Sequence, residues 1–449
     1  MTNHPQARVR RLVNVTAILG SFAAVGYLLS PGLPVMWGPS ASAASRETGQ
    51  MLFEHEWEPN DPLAKGDGLG PVFNARSCVA CHFQGGVGGG GSVDHNVTAF
   101  EIHPTKRNPE LMTGIVHASC VQTDDHESIG QLQQRFPIIK GTTRNVVVGG
   151  CASSFVVPDV NPVHSQTVNS TALFGAGWID RISSKAITAN RISTAATNIV
   201  REFQLDWSAV PAGRPRILPD GRVGKFGWKA QAATLEEFVA AACANELGLG
   251  NPLMAQATPM GRPAEKVAPD LDRKQFAALV SFVDTLGRPT EVVPEEPYHR
   301  AAAVRGKEVF AGIGCAICHT PDLGGVKGVY SDFLLHTVDG SDNPVPGGGY
   351  NENPEELPLP DDFPKASEWK TPALWGVADS APYFHDGATP TLRDAILRHG
   401  ADAKAVTAAF RKLTIDDQEA LVAFLRTLKA PPDARPVSSK TEEVAMRVR

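Results

Sequence analysis

The stretch after Glu419 carries its apolar residues on one stripe. Leu421, Phe424, Leu425 and Leu428 recur at i, i+3, i+4 and i+7, the spacing of an amphipathic helix. Thr414, with Asp417 three residues on, resembles a capping box with Asp in place of Glu. A second run, FAALVSFVDTLGRP from Phe276, mirrors EALVAFLRTLKAP from Glu419, and Gly287 and Pro289 stop it. Two further segments also match. ETGQMLFEHEW and VRGKEVFAGIG share a glycine, two residues, then an aliphatic–Phe pair, Leu52-Phe53 and Val309-Phe310. NSTALFGAGWID from Asn169 mirrors WKTPALWGVADS from Trp369. The blocks keep their order in two halves, so the chain carries an internal duplication. Each half reads as a short helix, a long loop region and a terminal helix.

The N-terminus follows another pattern. Arg8, Arg10 and Arg11 precede an uncharged apolar run, Leu12 to Leu29, and then PSASAAS with an A-x-A site at Ala41-Ser42-Ala43. That is the layout of a secretory signal peptide over 1–43. The run is also long enough, at about 18 residues, to stay as an uncleaved anchor. No second stretch of that apolarity follows, so the mature part is expected to be soluble, without a membrane span, and periplasmic. Gly287 to Arg300 is proline-rich and acidic, as a linker is. The expected plan is a first domain over 44–290, a linker over 291–300, a second domain over 301–433 and a disordered tail over 434–449. The net charge of −6 is mild and points to no nucleic-acid partner. With 42 glycines and 35 prolines, the expected fold is mainly α with long Gly/Pro-rich loops. Such loops need something large and planar at the centre to pack on.

Seven cysteines are present, and four of them form two C-x-x-C-H units. NARSCVACHFQGGVGGGGS holds Cys78, Cys81 and His82; GCAICHT holds Cys315, Cys318 and His319. A redox dithiol would need a βαβ context, and none is visible. A zinc site would need four ligands at one place, yet each unit has its own histidine in its own repeat. C-x-x-C-H is the attachment signature of c-type haem. The thiols of Cys78, Cys81, Cys315 and Cys318 are therefore expected to hold two haems as thioethers, with His82 and His319 as proximal iron ligands. The two halves become cytochrome-c-like haem domains. The glycines after His82 let backbone pass close to the ring.

Five stretches together resemble the bacterial di-haem oxidoreductase family, described as peroxidases. They are GDGLGPVFNARSCVACHFQGGVGGGG, LFGAGWIDRIS, GRVGKFGWKAQAATLEEFVAAACANELGLG, YSDFLLHTVDG and TPALWGVADSAPYFHDGATPTLRDAI. The likeness runs from about Gly49 to Leu428, and the second half is also similar to di-haem cytochrome c peroxidases and to the di-haem enzymes that mature methylamine dehydrogenase. The resemblance implies hydrogen peroxide reduced at one haem, with electrons relayed by the other from a small periplasmic donor or acceptor protein. A pure electron carrier and a di-haem oxidase of protein side chains are the alternative readings.

Within that frame the site residues are expectations. The peroxidases place a methionine on the second haem, but no methionine lies between Met260 and Met446. His336, His385 and His399 are the local substitutes, beside Tyr330, Tyr350 and Tyr383. Of these, His336 is the first candidate distal ligand, against a role in bonding a propionate or loop carbonyl. Tyr383 and His385, in PYFHDG, are pocket residues or loop support around an Asp386-Gly387 turn. At the first haem His95 leads His103, His117 and His126 as distal candidate, and an open site is the alternative. Glu101 or Glu110 would then be the acid–base for O–O cleavage. Trp178 is a relay candidate or a core aromatic. Cys120 and Cys151 are expected to form a disulfide, and Cys243 a buried core thiol. The loop from Ser341 to Pro364 is a calcium candidate without a recognisable calcium-loop spacing.

Overall fold

The computed structural model describes residues 42–148, 151–190, 213–263, 267–338 and 355–437. The leader before 42, much of the calcium-candidate loop and the tail from 438 lie outside the described residues. No helix among the described residues is long and apolar enough to cross a membrane.

The duplication is built as two crossed helix pairs. In the first half α1 (Ala43–Glu54) packs on α6 (Arg273–Thr285). In the second, α7 (Pro297–Gly312) packs on α10 (Ile415–Leu425). Local chemistry starts each helix. The Ser42 hydroxyl accepts from Ser45 N, Asp272 accepts from Lys274 N and Gln275 N, Glu296 accepts from His299 N ahead of Pro297, and Thr414 accepts from Asp417 N. Caps of this type contribute about 1 kcal/mol each. A glycine allows each crossing. A β-carbon at Gly49 would overlap Ala278 O and stand 2.8 Å from Phe282 Cβ; one at Gly306 would overlap Ala420 O and stand 2.9 Å from Phe424 Cβ. Beside the crossings, the rings of Phe53 and Phe282 lie 5.2 Å apart and those of Phe310 and Phe424 5.3 Å apart. The predicted stripe of Leu421, Phe424, Leu425 and Leu428 is buried in the second core.

The mirrored LFG and LWG loops lock the halves together. Gly175 and Gly376 both take left-handed backbone, φ 72 and 70, to start α4 (Ala176–Asp180) and the 3-10 turn Val377–Asp379. The Trp375 ring stacks so close to Gly175 that a β-carbon there would stand 2.6 Å from Cε3, and Phe174 meets Gly376 in return. Trp375 sits in a third core with Ile182, Val223, Val329, Phe333 and Leu334.

The expectation of a mainly α protein needs correcting: the fold is mixed, 34% helix and 14% strand. β2 (Val97–Ile102), β3 (Met112–Val116) and β7 (Val163–Val168) form an antiparallel sheet in the order β3-β2-β7. It packs over Ile102, Leu132 and Val163 with α3 (Ile129–Arg135). β5 (Thr143–Val148) and β6 (Cys151–Val156) form a hairpin. β1 (Val72–Phe73) pairs with β4 (Ser119–Cys120), and β8 (Leu335–Thr337) with β9 (Glu368–Lys370). VTAFEI and MTGIV are β-branched and aromatic stretches of strand character, hidden among the glycines and prolines.

Two smaller expectations also change. Cys120 is a free thiol, so the Cys120–Cys151 bridge is not formed; the two residues belong to different strand pairs, β1–β4 and β5–β6. The chain from 434 to 437 does not leave the body: Val87 N donates to Arg435 O at 2.9 Å, and Val437 packs on the first core. Cys243 is buried there as expected.

Candidate functional site

Each C-x-x-C-H unit is a tight turn with its histidine fixed from behind. Ser77 caps α2 (Cys78–Cys81) by accepting from Ala80 N at 3.2 Å, and His82 N donates to Cys78 O at 3.1 Å. His82 Nδ1 donates to Gly89 O at 3.1 Å, and the loop carrying Gly89 folds back through Gly86 and Gly88 at φ 126 and 94. In the second half Gly314, at φ 101, starts the turn Cys315–Ile317. His319 N donates to Cys315 O at 3.0 Å, and His319 Nδ1 donates to Tyr330 O at 3.1 Å. The Phe53 ring lies 6.5 Å from His82 and the Phe310 ring 6.4 Å from His319. Unlike sequences thus arrive at one geometry.

That geometry selects chemistry. An Nδ1–H bonded to a carbonyl fixes the tautomer in which Nε2 is the nitrogen for a metal. Burial lowers both imidazole pKa values to about 4, which keeps the rings neutral, as ligation requires. Burial pushes the Cys81 and Cys315 thiols up to about 12, and Cys78 higher still. These are the reverse of the acidic thiols that redox dithiols use.

A cavity of ≈ 300 Å³ reaches from the second unit to the first half. Cys315, Cys318 and His319 line it with Leu173, Phe226 and Trp228 from the first half. His399, at the end of α8 (Leu392–Arg398), faces His319 across it, ring centroids 6.4 Å apart at 71°. Its Nδ1 donates to Ala395 O at 2.7 Å. Two imidazoles bound through nitrogen to one iron at about 2.0 Å each would sit at about this spacing. His336 is placed differently. Its Nε2 meets Asp332 Oδ2 at 2.8 Å, and its Nδ1 lies 3.7 Å from Cys318 Sγ and 3.8 Å from Asp402 Oδ2. Burial opposes its protonation, but Asp332, Cys318 and Asp402 together hold its pKa well above the usual value. An imidazolium with both nitrogens engaged is not a ligand, so the geometry argues against the distal role expected for His336. Cys318, Asp332 and His336 offer donor atoms within 4.8 Å of one another, but the ion pair already uses two of them.

Tyr383 and His385 both line the cavity. His385 stacks on Trp369 at 3.5 Å and 12°, and the turn ahead of it is closed by Ala388 N donating to Asp386 Oδ1, with Gly387 at φ 63. Trp178 does not line the cavity; Arg288 lies over its ring at 5.3 Å. Trp228, Trp369 and Trp375 line it instead.

At the first unit, His95 is buried against Phe83, 5.8 Å ring to ring, and its charge depresses His82 further. His103 pairs with Glu101 at 3.1 Å and stacks on His164. His117 is held by Glu127 at 2.7 Å and Asn245 O at 2.9 Å, and His126 is exposed. Of the two proposed acids, Glu101 is paired with His103 and Glu110 is exposed. A buried carboxylate near the first unit that sequence reading passed over is Glu246, which ends α5 (Leu235–Glu246). Its Oε2 accepts from Asn74 Nδ2 at 2.8 Å, and its carbonyl accepts from Asn74 N and Ala75 N. Burial raises its pKa, and its charge acts on Cys81. The signal was available, since a carboxylate in the last turn of a helix opposes the helix dipole and needs another reason to be there.

The sequence profile described as "Di-haem oxidoreductase, putative peroxidase" matches residues 159–428, more than half of the 449. The chain belongs to the di-haem oxidoreductase family. It is also similar to the cytochrome c551 peroxidase of Nitrosomonas europaea, 23% identical over 254 residues that cover 51% of this chain and 69% of that protein. Among solved structures it overlaps the hydrazine synthase of Kuenenia stuttgartiensis at TM-score 0.34, with 13% identity over 94% of this chain and 100% of that one. A MauG-like protein associated with microbial copper homeostasis overlaps at TM-score 0.30, with 20% identity over 49% of this chain and 76% of that one. Neither overlap is close enough to carry the assignment, which rests on the family match.

Two haems follow from the family, and the residues present fit them. Each histidine is backed by a carbonyl, paired thiols flank it, and the cavity at the second unit is walled by apolar rings. Trp369 and Trp375 are among the residues lining it, and their indole nitrogens are buried without a hydrogen-bond partner.

Proposed function

We propose that the protein is a periplasmic di-haem c-type oxidoreductase that reduces hydrogen peroxide with electrons from a small periplasmic donor protein. Cys78 with Cys81, and Cys315 with Cys318, hold the haems as thioethers; His82 and His319 are the proximal ligands. One observation carries this reading: the same helix crossing, phenylalanine pair and carbonyl-backed histidine are built twice, around the two C-x-x-C-H units. A haem iron with an accessible position supplies peroxide binding and O–O cleavage, and its ligands and burial set its potential.

The chain's own residues divide the work. His399, facing His319 across the cavity, would be a second nitrogen ligand for an iron held there, which would suit relaying electrons. It takes the ligand role first assigned to His336, whose ion pair with Asp332 instead sets the charge beside Cys318. Glu246, partly buried and with a raised pKa, supports acid–base work at the first site, where a proton must reach the leaving oxygen. Held by the Asn74 amide, it is aimed rather than mobile.

The test is the purified mature protein. Its intact mass should exceed that of the polypeptide by two haems. Absorption and EPR spectra, oxidised and half-reduced, should change at one haem on adding hydrogen peroxide. Two low-spin haems indifferent to peroxide in both states would leave a pure electron carrier, the reading that the His319–His399 pair alone would favour.

A further inference from the structure

The sheet of the first half carries side-chain chemistry that neither C-x-x-C-H unit uses. Side chains alternate along β2, so Ile102 turns into the core with Leu132 and Val163, while Glu101 and His103 leave on the other face. The ladder to β7 runs one pair past the strand, since His103 N donates to Pro162 O at 2.8 Å. In that register His164 stands directly opposite Glu101. Residues two apart on a strand lie about 7 Å from one another, and residues opposite one another about 5 Å. One carboxylate and two imidazoles are thus mounted together on a sheet whose other face is core.

The three side chains already meet. His103 Nε2 lies 3.1 Å from Glu101 Oε2, and the His103 and His164 rings stack with centroids 3.9 Å apart at 23°. The side chains of His103 and Glu101 are 15% and 19% exposed, and His164 is exposed at the rim, so the cluster is half-sheltered and open on one side. Two imidazolium ions would repel at this spacing, so at least one ring is neutral and offers a lone pair. The nearby Arg216 guanidinium, which feels the Glu101 charge, is held by the Lys229 carbonyl, to which it donates at 2.7 Å.

We propose that Glu101, His103 and His164 form a site for a divalent transition ion of the Zn²⁺ type. Imidazole is the donor that such borderline ions accept and that Mg²⁺ and Ca²⁺, which take oxygen, do not. Three protein donors leave a fourth position for water. The ion takes the place of the hydrogen bond between His103 and Glu101, with each donor atom about 2.0–2.2 Å from it. The donors are not gathered in advance: the trio whose donor atoms all lie within 4.8 Å of one another is Cys318, Asp332 and His336. Binding therefore turns the two rings out of their stack about their side-chain torsions, while the paired strands beneath them stay fixed.

The experiment is calorimetric titration of the chelator-stripped mature protein with Zn²⁺. Wild type should take up one Zn²⁺ per chain. His103→Ala and His164→Ala should each weaken that uptake by more than about tenfold, a loss that even outer-shell partners produce. Glu101→Gln should weaken it about tenfold, and His126→Ala, at an exposed histidine elsewhere, should leave it unchanged. A second measurement needs no variant and decides if an alanine variant fails to fold. Zn²⁺ should protect His103 and His164 of the wild type from diethyl pyrocarbonate, read by peptide mass, and Mg²⁺ at the same concentration should not. No Zn²⁺ uptake, uptake that survives both histidine variants, or labelling that Zn²⁺ leaves unchanged overturns the site. Equal protection by Mg²⁺ overturns the assignment to imidazole donors.

Discussion

Replacing Gly306 by alanine tests the duplication at its tightest point. A β-carbon there would overlap Ala420 O and stand 2.9 Å from Phe424 Cβ, where ordinary contact starts at 3.4 Å. The obstacle is backbone carbonyl and not a flexible side-chain end, so α7 and α10 must separate. Overpacking of this kind costs about 3 kcal/mol at the upper end. Alanine recovers about 1 kcal/mol of helix propensity, leaving a net loss of about 2 kcal/mol. The displacement has a direct path to the site, since Phe310 touches Phe424 at 5.3 Å and the His319 ring at 6.4 Å. Gly312, in the same helix, has nothing within 4 Å of its β-carbon position, so Gly312→Ala is the control and should change stability little. Gly49→Ala should match Gly306→Ala, because a β-carbon at Gly49 meets Ala278 and Phe282 in the same way. Guanidinium unfolding of the mature protein, followed by far-ultraviolet circular dichroism and by the haem absorption band, measures all three. Equal stability of the Gly306 and Gly312 variants would refute the argument from close approach.

Other expectations follow from single contacts. His399→Ala should convert the second haem's EPR signal from low to high spin, whereas His336→Ala should leave its spin state unchanged; the opposite pattern would restore His336 as the ligand. Glu246→Gln should lower peroxide turnover by about 10²–10⁴-fold, with Glu101→Gln and Glu110→Gln close to wild type in the same stopped-flow assay. Glu127 is a buried carboxylate whose pKa burial would raise, yet bonds from His117 and Met260 N carry it below the usual value. Its contribution is therefore present above the unfolded carboxylate value of about 4.3 and is lost as pH falls through the lower folded value. Glu127→Gln should cost about 1–3 kcal/mol at neutral pH, and a pH series of unfolding curves should show the two proteins converging on acidification.

Much of this protein was legible in one dimension because its information is local. C-x-x-C-H places two thiols and an imidazole within one turn, so covalent geometry alone brings them together. The Gly-x-x-aliphatic-Phe blocks and the terminal apolar stripes encode helix faces at a 3.6 period, and their repetition in order revealed two similar halves. What the sequence left open concerned groups that meet across the fold. In the sequence His336, 17 residues from His319, is the first candidate and His399, 80 residues away, a lesser one; packing pairs His336 with Asp332 and sets His399 opposite His319. Glu246 reaches Asn74 across 172 positions, and the strands between Val97 and Val168 pair in a register that no local propensity dictates. Local chemistry decides which groups a segment offers. Which of them face one another depends on buried area and satisfied hydrogen bonds summed over the whole molecule, and that sum exists only once the chain has folded.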